Sequence, residues 1–268
     1  MNVKELFDAG NLDEAVQAAL AQVRLHPGDV PRRSTLAELL CWTGDLERAD
    51  GQLETLGRQD PGSQFGVSLF RQLVRAAVAR RQFYGEGRLP EFLGPPSPRL
   101  QLHLQASIAL REGRPAEAAD LLAQAETQRL PTPGTCNGQA FDDYRDLDDV
   151  TASFFEVLTT TGKYYWVPME RVSEIEFQRP AGLRDLLWRP ARMIVRDGPD
   201  GRVFLPVLYA GSETDADPRV RLGRYSDWRG GDGAPVRGVG QRTFLAGAQD
   251  VSILEIESLT FQPLGAAL

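Results

Sequence analysis

Two lysines, two cysteines and two histidines among 268 residues leave little material for several common chemistries. Only Lys4 and Lys163 of the 30 basic residues are lysine, and 37 acidic residues bring the net charge to −7. That balance argues against nucleic-acid binding, which needs a basic face. Cys41 and Cys136 are far apart in the chain, so no disulfide framework is expected and free thiols fit a reducing compartment. His26 and His103 stand without a neighbouring Cys or metal-binding spacing. CxxC, HExxH, G-x-S-x-G and a phosphate-binding loop are all missing. Gly238 and Gly240, in GVG, are too few glycines for a dinucleotide fingerprint. No apolar run approaches the ~20 residues of a membrane span, and the opening MNVKELFDAGNLDEA has no signal-like apolar core. These absences lead to the expectation of a cytoplasmic protein that is no enzyme and carries neither cofactor nor metal.

What is present is a repeat. Gly10 to Pro27 (GNLDEAVQAALAQVRLHP) is echoed by Gly44 to Pro61 (GDLERADGQLETLGRQDP). Gly, Leu12/Leu46, Ala15/Ala49 and Pro recur at a shift of 34 residues, the period of the tetratricopeptide helix pair. The glycine ends one helix, and Asn11 or Asp45 caps the next, Asn11 with Glu14 resembling a capping box. The alanine permits close helix approach, and the proline stops the second helix. A third start, Gly113-Arg-Pro115 with Ala118, lies 69 residues after Gly44, two periods plus one. The unit between, a long helix from Phe65 to Tyr84, is degenerate, one helix where a pair is expected. Its Arg71, Arg75, Arg80 and Arg81 read as a solvated face, or as a dock for an acidic partner.

From Thr135 the texture changes to β-branched and aromatic runs between Gly, Pro and Asp. Phe154–Thr159 and Lys163–Val167 read as a hairpin, and Val172–Phe177 as a strand. Arg192–Arg196 and Arg202–Leu208 flank a turn, and Val251–Phe261 reads as one closing strand. The predicted architecture is α+β: tetratricopeptide-like helical repeats over residues 1–134, followed by a mainly antiparallel β-rich subdomain over 135–268. Asp142, Asp143, Asp146, Asp148 and Asp149 form an acidic cluster without calcium-loop spacing, which reads as a solvated loop.

A repeat of this kind binds peptides or scaffolds other proteins. The first helix of each unit lines the concave face. That places Ser34, Glu38, Cys41 and Trp42 there, with His103, Ser107 and Arg111 at the equivalent register of the third unit. Trp42 is either an interface anchor or simply core.

Six strings in order carry a resemblance: NGQAF at Asn137–Phe141, YYWVP at Tyr164–Pro168, LRDLLWRPA at Leu183–Ala191, PVLYAGSE at Pro206–Glu213, LGRYSDW at Leu222–Trp228 and GVGQR at Gly238–Arg242. The chain resembles the ImpE/TagJ family, accessory proteins of bacterial type VI secretion systems. It departs from the family pattern in lacking the Gly-Pro turn after Asp146, Asp148 and Asp149, and in carrying Ala210 where the family has proline. The resemblance implies a non-enzymatic partner that binds a helical segment of the small contractile-sheath subunit and so bears on sheath handling by the disassembly ATPase.

The signature strings have two physical readings. In one, Trp166, Trp188 and Trp228 form the core of the β-rich half, Arg184–Asp185 and Arg224–Asp227 pair to fix loops, and Glu213 sits at a helix N-terminus. In the other, Arg184, Asp185, Glu213, Arg224 and Arg242 line a polar pocket for an anion or small ligand, or the site of an uncharacterised enzyme.

Overall fold

Gly10, Gly44 and Gly113 all sit at positive φ, 91°, 74° and 71°, the left-handed conformation that glycine enters without a Cβ penalty. Each ends one helix and starts the next in the computed structural model, which describes residues 2–263. The first joins α1 (Val3–Asp8) to α2 (Leu12–Leu25), and the second joins α3 (Val30–Trp42) to α4 (Leu46–Gln59). After a solitary long α5 (Gln64–Glu86), the third joins α6 (Pro98–Arg111) to α7 (Pro115–Thr127). Ala15, Ala49 and Ala118 are fully buried, as their role in close helix approach requires. Asp45 accepts from Arg48 N, whereas Asn11 makes no side-chain cap bond. The reciprocal capping box lies one helix earlier, between Asn2 and Glu5.

Strands follow: β1 (Gly134–Cys136), β2 (Gln139–Phe141), β3 (Tyr144–Asp146), β4 (Phe154–Thr159), β5 (Tyr164–Pro168) and β6 (Val172–Phe177). A short α8 (Leu183–Leu187) leads into β7 (Trp188–Val195) and β8 (Asp200–Pro206). Then come α9 (Pro218–Arg221), β9 (Ser226–Gly231), β10 (Ala234–Gly240), β11 (Thr243–Ala246), β12 (Gln249–Ser252) and β13 (Ser258–Phe261). Eight strands make one antiparallel sheet in the order β2-β1-β13-β6-β7-β8-β4-β5. Its ends do not meet, so it is an open sheet rather than a barrel. β12-β11-β3 and β10-β9 are smaller sheets. The single closing strand expected over Val251–Phe261 is in fact divided: residues 249–252 pair with β11, and residues 258–261 pair with β1 and β6. The turn between them buries Ile253 and Ile256, and burial on both sides of a reversal mimics alternation.

The large sheet is buried on both faces, and period-two alternation assigns its side chains. Phe154 and Leu158 of β4 join an apolar cluster that runs continuously from Phe7 through α5 to Trp166, Trp188 and Leu222. Phe155 and Val157 join a second cluster with Ile175, Met193 and Leu205. The helical and β-rich halves therefore share one core. Trp166 and Trp188 lie in it, as expected, but Trp228 is 40% exposed on β9. Among the described residues β9 pairs only with β10, which leaves its other edge, and that indole, outside the core.

Candidate partner-binding groove

The concave side of the first helices is not an empty channel. α8, the loop before it and the loop after α9 dock into it. Trp42 at the end of α3 is 2% exposed, and its Nε1 donates to Leu183 O at 3.1 Å. Phe7 meets its ring edge-on, centroids 5.5 Å apart. Arg224 donates to the carbonyls of Asp8 and Phe7 at 2.7 and 2.8 Å, at the C-terminus of α1, where a cation is favoured by the helix dipole. Arg221 pairs with Asp13 at 3.0 Å.

Docking is incomplete, and a groove of about 880 Å³ remains between the two halves. Phe7, Trp42, Leu183, Leu186 and Leu222 give it apolar walls, and Lys4, Arg32, Glu38 and Arg224 stand among its lining as charges of both signs. Pro180, Ala181 and Gly182 form part of one wall, and Ala181 is exposed. Burial raises the Glu38 carboxyl above the usual carboxylate range, against the pull of Arg184. No donor reaches that carboxylate among the described residues.

The sequence candidates divide. Glu38 and Trp42 line this groove, Trp42 as its floor, but Cys41 is buried and faces a second cavity beside Arg80 and Arg81. Ser34 is half-buried and lines neither. His103 and Ser107 are buried at 2% and 5% exposure. His103 borders one small cavity, and Ser107 with Arg111 another. The equivalent registers of the two units thus do not form one continuous face, because the C-terminal half separates them.

The five signature residues also part company. Arg184 and Asp185 pair with each other at 3.2 Å. Arg224 holds α1 rather than Asp227, which instead accepts from Trp228 N. Glu213 packs beside Gly44, near the second cavity. Arg242 is 3% exposed and bonds Asp146 and Glu156. They do not line a common pocket.

Arg242 instead belongs to a network that the sequence reading missed. Glu156 of β4 takes two bonds from Arg80 of α5 at 2.9 and 2.8 Å, and others from Tyr84, Tyr164 and Arg242. Burial alone would raise its pKa, but Arg80 and Arg242 outweigh burial and hold it at about 2. Asp146 also accepts from Tyr209 at 2.8 Å, and Asp148 pairs with Arg237 at 2.9 Å. Asp146 and Asp148 are therefore buried members of this network and not a solvated acidic loop, and Arg80 is not on a solvated helix face. One signal was available: Glu156 interrupts the apolar run FFEVL, and a carboxylate there has to be paired.

Comparison with known proteins places these features. The family model described as ImpE protein matches residues 138–260, and a tetratricopeptide repeat model matches residues 6–66. The type VI secretion system accessory component TagJ of Pseudomonas aeruginosa is 31% identical over 99% of this chain and 93% of its own length. A crystal structure of a protein from Vibrio parahaemolyticus superposes with a TM-score of 0.92 at 27% identity, covering 98% of each chain.

Proposed function

The chain belongs to the ImpE family, whose curated relative is a type VI secretion accessory component, and on that premise we propose that it is a cytoplasmic, non-enzymatic adaptor that binds a helical segment of the small contractile-sheath subunit. The observation that carries this reading is the open apolar groove between α1–α3 and the segments around Leu183 and Leu222. An amphipathic helix laid into such a groove buries its apolar stripe at i, i+3, i+4 and i+7, while the mixed charges along the groove orient it. The walls come from both halves of the chain, so the site exists only when the repeat helices and the sheet are docked.

Titration calorimetry with the sheath subunit's helical segment tests this. Ala181→Trp fills the groove from an exposed position, and it is expected to weaken binding at least ~30-fold, about 2 kcal/mol, with an unchanged melting temperature. Binding within twofold of wild type would place the partner on another surface. Trp42→Ala is the poorer probe, since it opens a cavity in the shared core at a cost of about 3–5 kcal/mol.

A further inference from the structure

A second cavity system lies where α5 and α6 face the turn after β8. It is lined by none of the residues of the partner groove. Its volume is about 300 Å³, and Tyr84, Ser107, Arg111, Ala210, Gly211 and Arg237 border it. An adjoining space of about 310 Å³ shares Tyr84, Ala210 and Gly211 and adds Glu213 with Arg80 and Arg81, which are already paired with Glu156 and Glu47. In a chain of net charge −7, this concavity gathers guanidinium groups.

Two of those guanidiniums are under-used. Arg111 is half-buried, lies over the Phe83 ring at 5.9 Å and donates Nη1 to Phe83 O at 3.1 Å. It has no carboxylate partner among the described residues. Arg237 spends only its Nε, on Asp148 at 2.9 and 3.1 Å, and its terminal nitrogens find no acceptor among the described residues. The ring of Tyr84 lies against Arg237 at 5.8 Å, which fixes that side chain beside the cavity. The backbone N–H groups of Ala210 and Gly211 likewise take no acceptor among the described residues, and Gly211 has φ 86°. Successive N–H groups at a left-handed residue form an anion-binding concavity.

A half-buried guanidinium without a counter-charge has lost hydration and gained little in return. Planar forks with free terminal nitrogens match carboxylate or phosphate oxygens two at a time, and a low-dielectric cleft concentrates their field. We propose that this cavity binds a small oxyanion-bearing molecule, its carboxylate or phosphate group held between Arg111 and Arg237. The proposal does not depend on the sheath reading, because the two sites share no residue.

The test uses the full chain, with inorganic phosphate and citrate as probes and chloride at matched ionic strength as control. Either anion, at saturation, is expected to raise the melting temperature by about 2 °C or more over chloride in the wild type and by clearly less in Arg111→Gln, since exclusion of these anions from the surface stabilises both alike. The better of the two tells phosphate from carboxylate. In calorimetry Arg111→Gln is expected to weaken that anion about tenfold or more. Arg111→Lys keeps the charge but loses the fork and should fall between. Arg114→Gln, on the exposed helix start nearby, should match wild type. No stabilisation over chloride by either anion, or equal affinity in wild type, Arg111→Gln and Arg111→Lys, overturns the proposal. Should Arg111→Gln melt early, the Arg111→Lys comparison still decides.

Discussion

The two halves of the molecule meet in two ways, and the contrast separates what holds the fold from what is left open. Along α5 and β4 the seam is closed. Arg80 reaches across from the helix to Glu156 on the strand, and Arg242, Tyr84 and Tyr164 complete its shell. Along α1, α3 and α8 the seam is open. Its walls are largely apolar, its cross-links are Trp42 and Arg224 on backbone carbonyls and one partly exposed ion pair, Arg221–Asp13, and the Glu38 carboxylate has no donor among the described residues. A buried charge cluster tolerates little change, because any missing member leaves another charge uncompensated. An apolar wall tolerates a new occupant, because dispersion and burial are not directional.

The largest expected effect comes from breaking the closed seam. Arg242→Ala strands Asp146 and leaves Glu156 with Arg80 as its sole cation, both acids being fully buried. The expected loss is about 3–5 kcal/mol in urea unfolding. Arg192→Ala removes an exposed pair with Asp200 and should cost less than about 1 kcal/mol. Similar losses from the two would show that the buried network contributes no more than a surface ion pair.

The next effect is a pH dependence. Burial between α6 and the segment around Ser153 depresses the His103 pKa from 6.5 to about 4, and Arg99 and Arg145 push the same way. Ser153 Oγ meets its Nε2 at 2.9 Å. The unfolded imidazole takes a proton below about pH 6.5, and the folded one resists until about pH 4. The stability held by this neutral ring is therefore complete above pH 6.5 and declines as pH falls toward 4. The difference reaches about 3 kcal/mol at most. Urea midpoints from pH 7.5 to 4.5 are expected to fall, and to fall less steeply in His103→Gln. A parallel slope in that variant would assign the acid sensitivity to other groups.

Local rules made the helices legible. Gly10, Gly44 and Gly113, the buried alanines behind them and the stops at Pro27 and Pro61 each act within a few residues, so spacing alone reveals them. The hairpin of β4 and β5 was legible for the same reason, with Gly162 at φ 81° in its turn. What escaped was decided at long range. Arg80 looked like one of four solvated arginines because its partner is 76 residues away. Asp146 and Asp148 read as solvated because Tyr209, Arg237 and Arg242, which cover them, arrive much later in the chain. Repeat geometry puts Trp42 and His103 on one face, and no local pattern records that Trp42 packs on Leu183 of α8 while His103 packs on Ser153 and Phe154 at the start of β4. Family resemblance pointed to the right strings, yet the arginines in those strings hold α1, a neighbouring aspartate and a buried carboxylate pair instead of converging.

The smallest effect bears on the open seam alone, through Glu38. Burial comes first in raising its pKa, Asp185 adds to the rise and Arg184 opposes it. A raised carboxyl pKa means that the folded protein prefers the protonated form. This group's contribution is therefore most favourable at low pH and turns against the fold as pH rises through the raised value. Glu38→Gln removes the penalty and keeps the shape, so the free protein at pH 7 is expected to gain on the order of 0.5 kcal/mol and to lose that part of its pH dependence. Docking of a helical segment that brings a Lys or Arg into the groove reverses the sign, because the ionised carboxylate then has a partner away from water. The same substitution should weaken the complex while it stabilises the free chain. Urea unfolding and calorimetry on one preparation measure both. A variant that is less stable when free would show that Glu38 is held by a contact within the fold, which would remove it from the receiving face of the groove.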